Sequence, residues 1–100
     1  MESYTEKQAF DELVTALAET KDEDFIHNFL KSILTEYEVS EVSSRWALVR
    51  LIDEGMTQRK IAEKLGLSLC KITRGSRELK KDESSFKKMI DLFKYMMILK

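Results

Sequence analysis

The segment Thr57–Lys81, TQRKIAEKLGLSLCKITRGSRELKK, carries the signals that decide the fold of this 100-residue chain. Thr57 is of a type that caps helix N-termini, because its hydroxyl accepts a hydrogen bond from a free backbone N–H. Gly66 follows the first apolar stripe, where a left-handed residue usually ends a helix, and Ser68 can cap the next helix. The segment therefore predicts two short helices joined by a tight turn, the pattern of a helix-turn-helix.

The apolar residues of these two predicted helices repeat with the spacing of a helical stripe. The stripes consist of Ile61, Ala62 and Leu65 in the first helix and of Leu69, Ile72 and Leu79 in the second. A small alanine lets two helices cross closely, and the aliphatic side chains on both sides fix the crossing angle. We therefore expect the second stripe, including Leu69, to be buried.

The charge of Thr57–Lys81 predicts its partner. The segment contains eight basic and two acidic residues, a local charge of +6 in a chain whose net charge is −1. Residues 1–41 carry three basic and eleven acidic side chains, so the charges are segregated along the chain. Because Lys and Arg neutralise phosphates, we expect the basic segment to contact double-stranded DNA.

Length and composition restrict the class of protein. Residues 1–100 fit one domain, and 43% hydrophobic with 35% charged residues is typical of a soluble helical protein. No apolar run approaches the ~20 residues that a membrane span needs, and the first residues do not resemble a signal peptide. A single cysteine cannot form an internal disulfide. A cytoplasmic protein with no membrane partner is therefore expected.

The remainder of the chain predicts further helices and no strand. The first is expected over Glu2–Lys21, and Asp22 is expected to cap a second helix whose wide apolar face indicates burial against more than one neighbour. Thr35 and Glu38 form a capping-box pattern for a third helix that ends near Glu54. That helix offers Val39, Val42, Trp46, Val49 and Ile52 to the core. The last helix carries Phe86, Met89, Ile90, Phe93, Met96 and Met97. Trp46 and the three methionines are interpreted as core or dimer packing.

Several short motifs resemble the bacterial tryptophan repressor family. The specific one is Ile72–Ser76, ITRGS, followed by Leu79-Lys80. Leu34-Thr35 also matches, with Arg45 ten residues beyond the threonine. The resemblance covers roughly residues 25–81 and implies an all-α, intertwined homodimeric helical bundle with a helix-turn-helix DNA-binding motif. It also implies a bacterial, nucleoid-associated repressor of tryptophan biosynthesis or transport genes, which binds operator DNA with L-tryptophan as corepressor.

The resemblance also implies a ligand site. In the family the indole lies between two arginines, which correspond to Arg45 and Arg74, and a glycine leaves room for it. Thr35 and carbonyls at the end of the second helix are implied to hold the polar end of the amino acid. The complete implied set is Ser32, Leu34, Thr35, Arg45, Arg74, Gly75 and Glu78. Thr35 also has the simpler interpretation of a helix cap.

The residue chemistry near Gly75 supports an amino-acid ligand independently. A glycine inside a helix costs about 1 kcal/mol relative to alanine, so its presence indicates the close approach of another group. Arg74 can pair with a carboxylate and stack on an aromatic plane.

Two features depart from the family. Glu78 stands where a small residue is usual, and it either pairs with the ligand ammonium or fills the pocket. The Gly55–Thr57 link is one residue shorter than in the best-known members.

The DNA-binding residues are expected around the start of the two motif helices, where base edges and phosphates are contacted. They are Gln58, Arg59, Ser68, Leu69, Cys70, Lys71, Thr73, Arg77 and Lys80. The family often has a smaller polar residue at the position of Lys71, which predicts a different operator. Arg77 and Lys80 are expected to contact phosphates. The alternative interpretation is an ordinary solvated basic face.

Three functions remain open from the sequence. The first is the tryptophan-responsive repressor, and the second is a related DNA-binding regulator that is ligand-independent or senses another small molecule. The third is a helical module that binds another protein through its apolar faces. An enzyme is not expected, because no activated nucleophile, paired carboxylates or metal-ligand cluster is visible. Cys70 is interpreted as a small side chain facing DNA or solvent rather than as a redox switch.

Overall fold

The computed structural model describes residues 3–100, which form six α-helices and no strand. The helices are α1 (Glu6–Ala18), α2 (Glu23–Ile33), α3 (Glu36–Asp53), α4 (Gln58–Leu65), α5 (Leu69–Lys80) and α6 (Ser85–Ile98). This confirms the predicted all-α class. No helix within the described range is long and apolar enough to cross a bilayer.

The chain divides into two compact units, the first ending at Val39 and the second comprising Ser40–Lys100. The boundary lies within α3, close to its N-terminus. The organisation of residues 1–100 as a single domain stays a prediction.

Side-chain caps start the helices of the first unit. Thr5 accepts a hydrogen bond from the backbone N–H of Gln8 at 3.1 Å, so α1 begins at Glu6. The predicted start at Glu2 lies outside the described residues, and the predicted end at Lys21 is wrong because the helix stops at Ala18. The cap at Asp22 is confirmed, since its carboxylate accepts from the N–H groups of residues 24 and 25 at 3.0 and 3.2 Å.

The capping box at the start of α3 is also confirmed. The Thr35 hydroxyl accepts from the Glu38 N–H at 3.1 Å, and the Glu38 carboxylate accepts from the Thr35 N–H at 2.8 Å. On α2, Phe25 and Ile33 remain exposed. The wide apolar face is therefore partly exposed among the described residues, and its burial against more than one neighbour stays a prediction.

The caps of α4 and α5 follow the sequence signals. Thr57 accepts from the Lys60 N–H, and Ser68 accepts from the Lys71 N–H, both at 3.3 Å. Between the helices, Gly66 has a φ of +64°, a left-handed conformation that a side chain would strain. The link between α4 and α5 is therefore only three residues long, as predicted for the motif.

The second unit has a small core. The buried apolar side chains of this core are Leu48 and Val49 of α3, Ile61 of α4, Ile72 of α5 and Ile90 of α6. Ile61 and Ile72 are fully buried and fasten the α4–α5 pair to the rest of this unit. The partly buried Trp46 stacks on Phe86 with 5.8 Å between ring centroids and contacts the edge of Phe93.

Some predicted core positions are wrong. Leu69 is 60% exposed, because it lies in the first turn of α5, beyond the part of the stripe that the protein covers, whereas Ile72 is buried and Leu79 is partly buried. Val42 is exposed on α3. Met89, Met96 and Met97 are also exposed, so their core assignment is wrong and their role in dimer packing stays a prediction.

Charged groups join α6 to α3. The Asp53 side chain, 8% exposed, accepts hydrogen bonds from Lys87 Nζ and Lys94 Nζ, each at 2.9 Å. Beside it, the Arg50 guanidinium lies 4.9 Å from the centroid of the Phe93 ring. Removing the charge on one side of such a pair is costly, because the nearly buried partner is then left uncompensated.

We expect Asp53→Asn to reduce the free energy of unfolding by about 1–3 kcal/mol at pH 7, because it removes a charged acceptor from two lysines. Hydrogen bonds from Lys94 and Lys87 hold the pKa of the Asp53 carboxyl below its ordinary value. Its contribution is therefore present above about pH 4 and is lost as the pH falls through the folded-state pKa. Urea titrations across that range measure both effects.

Asp91→Asn is the matched control, because Asp91 also accepts from Lys87, at 3.0 Å, but is 53% exposed. It should cost less than Asp53→Asn. Equal costs for the two variants, or an Asp53→Asn protein whose stability falls with acid as steeply as that of the wild type, would contradict this assignment.

Candidate ligand cavity and nucleic-acid interface

Helix α5 has two chemically different sides. Its inner side carries Ile72, Gly75 and Ser76, which are buried against the other helices of the second unit. Its outer side and ends expose polar and basic side chains. A helix with this division can pack on one side and present charge to a partner on the other.

A cavity of about 420 Å³ lies between α3 and α5. Its lining consists of Glu41, Ser44, Arg45, Leu48, Val49, Leu67, Lys71, Arg74, Gly75, Glu78 and Phe86. The volume falls within the range of small-molecule sites, which is about 300–1,000 Å³. Five of these side chains are charged and four are apolar, so the lining can contact both an ionised group and an apolar group of one ligand.

The two predicted clamp arginines line this one cavity. Arg45 comes from α3 and Arg74 from α5, and both side chains are exposed. Neither forms an ion pair with a carboxylate of residues 3–100, whereas Lys71 pairs with Glu41 at 3.5 Å. Their guanidinium groups are thus free to bind an external carboxylate or to stack on an aromatic plane.

Glu78 lines the same cavity, so the unusual acidic side chain is present where the sequence placed it. Its carboxylate accepts from Lys81 Nζ at 2.9 Å, one turn further along the chain. Both side chains are at least 40% exposed, and an exposed pair of this kind contributes little. The carboxylate can therefore change partners when a cation enters the cavity.

The group that approaches Gly75 most closely is the Leu48 side chain of α3. A Cβ added at Gly75 would lie 3.0 Å from Leu48 Cδ2 and 3.4 Å from Val49 Cγ2. The predicted close approach is therefore made at least in part by α3. Gly75 also lines the cavity, so space for a ligand beside it stays a prediction.

The predicted DNA-binding residues lie on exposed parts of α4 and α5. Seven of them besides Leu69 are solvent-exposed or are caps at an exposed helix start: Gln58, Arg59, Ser68, Cys70, Lys71, Arg77 and Lys80. Thr73 is partly buried and donates from its hydroxyl to the Leu69 carbonyl at 2.9 Å. That bond occupies the Thr73 proton, and an oxygen lone pair remains for a partner.

Three predicted ligand residues belong to the unit that ends at Val39. Thr35 has the capping role described above, and the Ser32 hydroxyl donates to the Asn28 carbonyl at 2.9 Å. Leu34 is the C-terminal cap of α2 and is partly buried. Their contribution to a ligand site stays a prediction.

The sequence reasoning missed several lining residues, although a signal for them exists. Counting from Arg45 at helical spacing gives Glu41, Leu48 and Val49 on one face of α3, and Ser44 is three residues after Glu41 on that face. The same spacing from Arg74 gives the predicted Glu78 and also Lys71, which was predicted to contact DNA only. Leu67 and Phe86 lie outside these helical repeats, and only the fold brings them to the cavity.

Comparison with known proteins gives a consistent result. A family model described as "Trp repressor protein" matches residues 8–93. A "Trp operon repressor homolog" of Chlamydia trachomatis serovar L2 is 35% identical over 86 residues, which cover 85% of this chain and 92% of the homolog. A "Trp operon repressor homolog" of Xylella fastidiosa is 36% identical over 74 residues, which cover 73% of this chain and 80% of the homolog.

A solved structure is also similar. It is described as a TrpR like protein from Eubacterium eligens, with a TM-score of 0.76 and 28% sequence identity. The match covers 86% of this chain and 89% of that chain. The likeness therefore extends well beyond the ITRGS run on which the sequence resemblance rests.

We expect Gly75→Ala to be no more stable than the wild type, although alanine is favoured in a helix by about 1 kcal/mol. The added methyl meets the buried Leu48 side chain, and crowding of a packed core costs about 1–3 kcal/mol. In a Leu48→Ala background the crowding is absent, and Gly75→Ala should then stabilise the protein. Thermal unfolding of the four proteins measures this change of sign.

Leu48→Ala alone should cost about 2–5 kcal/mol. If Gly75→Ala changed stability by the same amount in both backgrounds, Leu48 would not be the reason for the glycine.

Proposed function

The chain belongs to the Trp repressor family of transcriptional regulators, and on that premise we propose that it is a repressor that binds operator DNA as a homodimer with L-tryptophan as corepressor. The observation that carries the proposal is the position of α5. One side of this helix borders the cavity, where the exposed Lys71 and Arg74 lie, and the exposed Arg77 and Lys80 lie on α5 outside the cavity. A molecule in the cavity would therefore touch the helix that reads DNA.

The corepressor part rests on the chemistry of the cavity. A tryptophan carboxylate would pair with a free arginine, and its indole would stack between the guanidinium planes. Leu48, Val49 and Phe86 supply apolar contact at the inner end. Glu78 is the acidic group that would accept from the ammonium. The family resemblance also implies ligand contacts for Ser32, Leu34 and Thr35 of the first unit, which stay a prediction.

The DNA part rests on charge and on helix termini. The exposed ends of α4 and α5 present Gln58, Arg59 and the start of α5 to a groove, while Arg77 and Lys80 approach phosphates. Two copies related by a two-fold axis would place two such helices roughly 34 Å apart, one turn of the duplex. The exposed apolar faces of α2 and α6 are the surfaces that we propose for dimer contact. The protein would act in the bacterial cytoplasm, at the nucleoid.

Ligand would act by selecting one position of α5. Filling the cavity adds contacts between α3 and α5, so the DNA-competent position becomes more populated. Controlled genes would be those of tryptophan biosynthesis or transport. Family membership favours this regulator over the protein-binding helical module.

A regulator that is ligand-independent or senses another small molecule is the second candidate. Two observations favour it. Leu48 already occupies the space next to Gly75, and Glu78 brings a carboxylate into the cavity where relatives usually have a small residue. DNA affinity that is indifferent to tryptophan in the wild type but dependent on it in Glu78→Ser would support this candidate and identify the cause.

We expect the protein to bind duplex DNA with a strong salt dependence, and Arg77→Gln with Lys80→Gln to reduce both the affinity and the salt slope, by about one unit per phosphate contact. Lys88→Gln is the control, because Lys88 is exposed on α6, outside the α4–α5 pair. Fluorescence anisotropy with labelled duplex across a salt series gives both quantities. A wild-type protein without affinity for duplexes at low salt would reject the proposal.

We expect saturating L-tryptophan to raise the melting temperature and to strengthen operator binding, because it binds the folded protein only. At a hundred times its dissociation constant, the stabilisation is about 2.7 kcal/mol. Arg74→Lys should remove most of this effect, since lysine offers neither the planar fork nor the stacking surface.

Arg77→Lys is the matched control for the ligand experiment, because Arg77 also lies on α5 but not on the cavity wall. Calorimetry reports ligand binding separately from DNA binding. The absence of binding heat with the wild type at millimolar tryptophan would reject the corepressor and leave the DNA reader in place.

A further inference from the structure

Lys71 is an unusual residue for its place in the helix. It is the third residue of α5, where the free N–H groups give the helix terminus a partial positive charge. A cation at this end of a helix is unfavourable, by typically 0.3–1 kcal/mol. Lys71 therefore does not stabilise α5 by itself, and an anion beside it offsets this cost.

The anion in this structure is Glu41. Its Oε1 lies 3.5 Å from Lys71 Nζ, although the residues are thirty positions apart in the chain. Within residues 3–100, this is the single ion pair that joins α5 to another helix. The Glu41 side chain is 27% exposed and that of Lys71 is 54% exposed, so the carboxylate lies deeper than the ammonium.

A DNA phosphate would pair with the same ammonium group. Lys71 is exposed in the first turn of α5, as are Leu69 and Cys70. When its ammonium turns to a phosphate, the Glu41 carboxylate loses its cation and also repels the approaching phosphate. The two anions therefore compete for one ammonium.

We propose that Glu41 is an intramolecular competitor of DNA for the Lys71 side chain and thereby limits the affinity of the unliganded protein for duplexes. The proposal rests on the DNA-binding function proposed above and adds a residue on α3 that regulates it. Both residues also line the cavity, so a change of partner by Lys71 leaves the Glu41 carboxylate on the cavity wall without this ammonium partner. DNA contact and cavity charge are thereby coupled.

The test is a double-mutant cycle with Glu41→Gln, Lys71→Gln and the two combined. Anisotropy with a short labelled duplex of mixed sequence at about 50 mM salt is sufficient, because the competition involves phosphates and not bases. Glu41→Gln should tighten binding about 1.5- to 5-fold, the range of an exposed ion pair. In the Lys71→Gln background its effect should be markedly smaller, because the shared ammonium is absent.

Glu63→Gln separates this competition from a simple change in net charge. Glu63 is an exposed acidic residue of α4 that forms no ion pair with residues 3–100. Its removal should tighten binding by the same factor whether Lys71 or glutamine occupies position 71. Lys71→Arg, which keeps the charge, should restore the dependence on Glu41. Lys71→Gln should also lower the salt slope by about one unit.

The outcomes separate the two proposals. Equal effects of Glu41→Gln in both backgrounds, or no effect in either, overturn the competition while duplex binding by the wild type stands. A wild type that binds no duplex at low salt overturns both. Circular dichroism of each variant shows that it is folded before its affinity is compared.

Discussion

The close contact between α5 and α3 at Gly75 is the constraint on which the second unit depends. Because Gly75 has no side chain, the Leu48 and Val49 side chains lie directly against the backbone of α5. A Cβ at position 75 would be only 3.0 Å from Leu48 Cδ2. The contact fixes which side of α5 faces inward. Ile72 and Ser76 become buried on that side, and the first turn of α5 is left in solvent. The contact between α3 and α5 therefore determines both which residues of α5 join the core and which remain exposed.

The same contact explains why charged side chains gather beside a small apolar core. Helical spacing from Gly75 places Lys71, Arg74 and Glu78 along one edge of α5, opposite Glu41 and Arg45 on α3. Two of the cations have no carboxylate partner among the described residues, and such a lining favours an anionic ligand group. The binding chemistry proposed for the cavity follows from this register of two helices.

Local signals predicted most of the helix boundaries. The caps at Asp22, Thr35, Thr57 and Ser68 depend on a hydroxyl or carboxylate and an N–H two or three residues away, so the sequence contains both partners. The left-handed turn at Gly66 is local in the same way. The family resemblance implied a common ligand site for Arg74, Gly75 and Glu78, and all three line one cavity.

Interactions between distant segments were not predictable by the same reasoning. The pairs Glu41–Lys71 and Asp53–Lys94 join residues that are thirty and forty-one positions apart, and no local pattern selects them. Leu69 was misplaced because a stripe defines a face but not how far toward the helix end that face is covered. The exposed methionines of α6 show a related difficulty, because an apolar stripe in the sequence does not distinguish a core face from an exposed apolar surface.

The fixed point at Gly75 also makes α5 a lever. Gly75 lies six residues from Leu69, which at 1.5 Å per residue is an arm of about 9 Å. A rotation of roughly ten degrees about this fulcrum would carry the Leu69 end through about 1.5 Å, which is enough to break a hydrogen bond to a base. A rearrangement of the Leu48 side chain on α3 would therefore move the exposed Leu69 end of the helix.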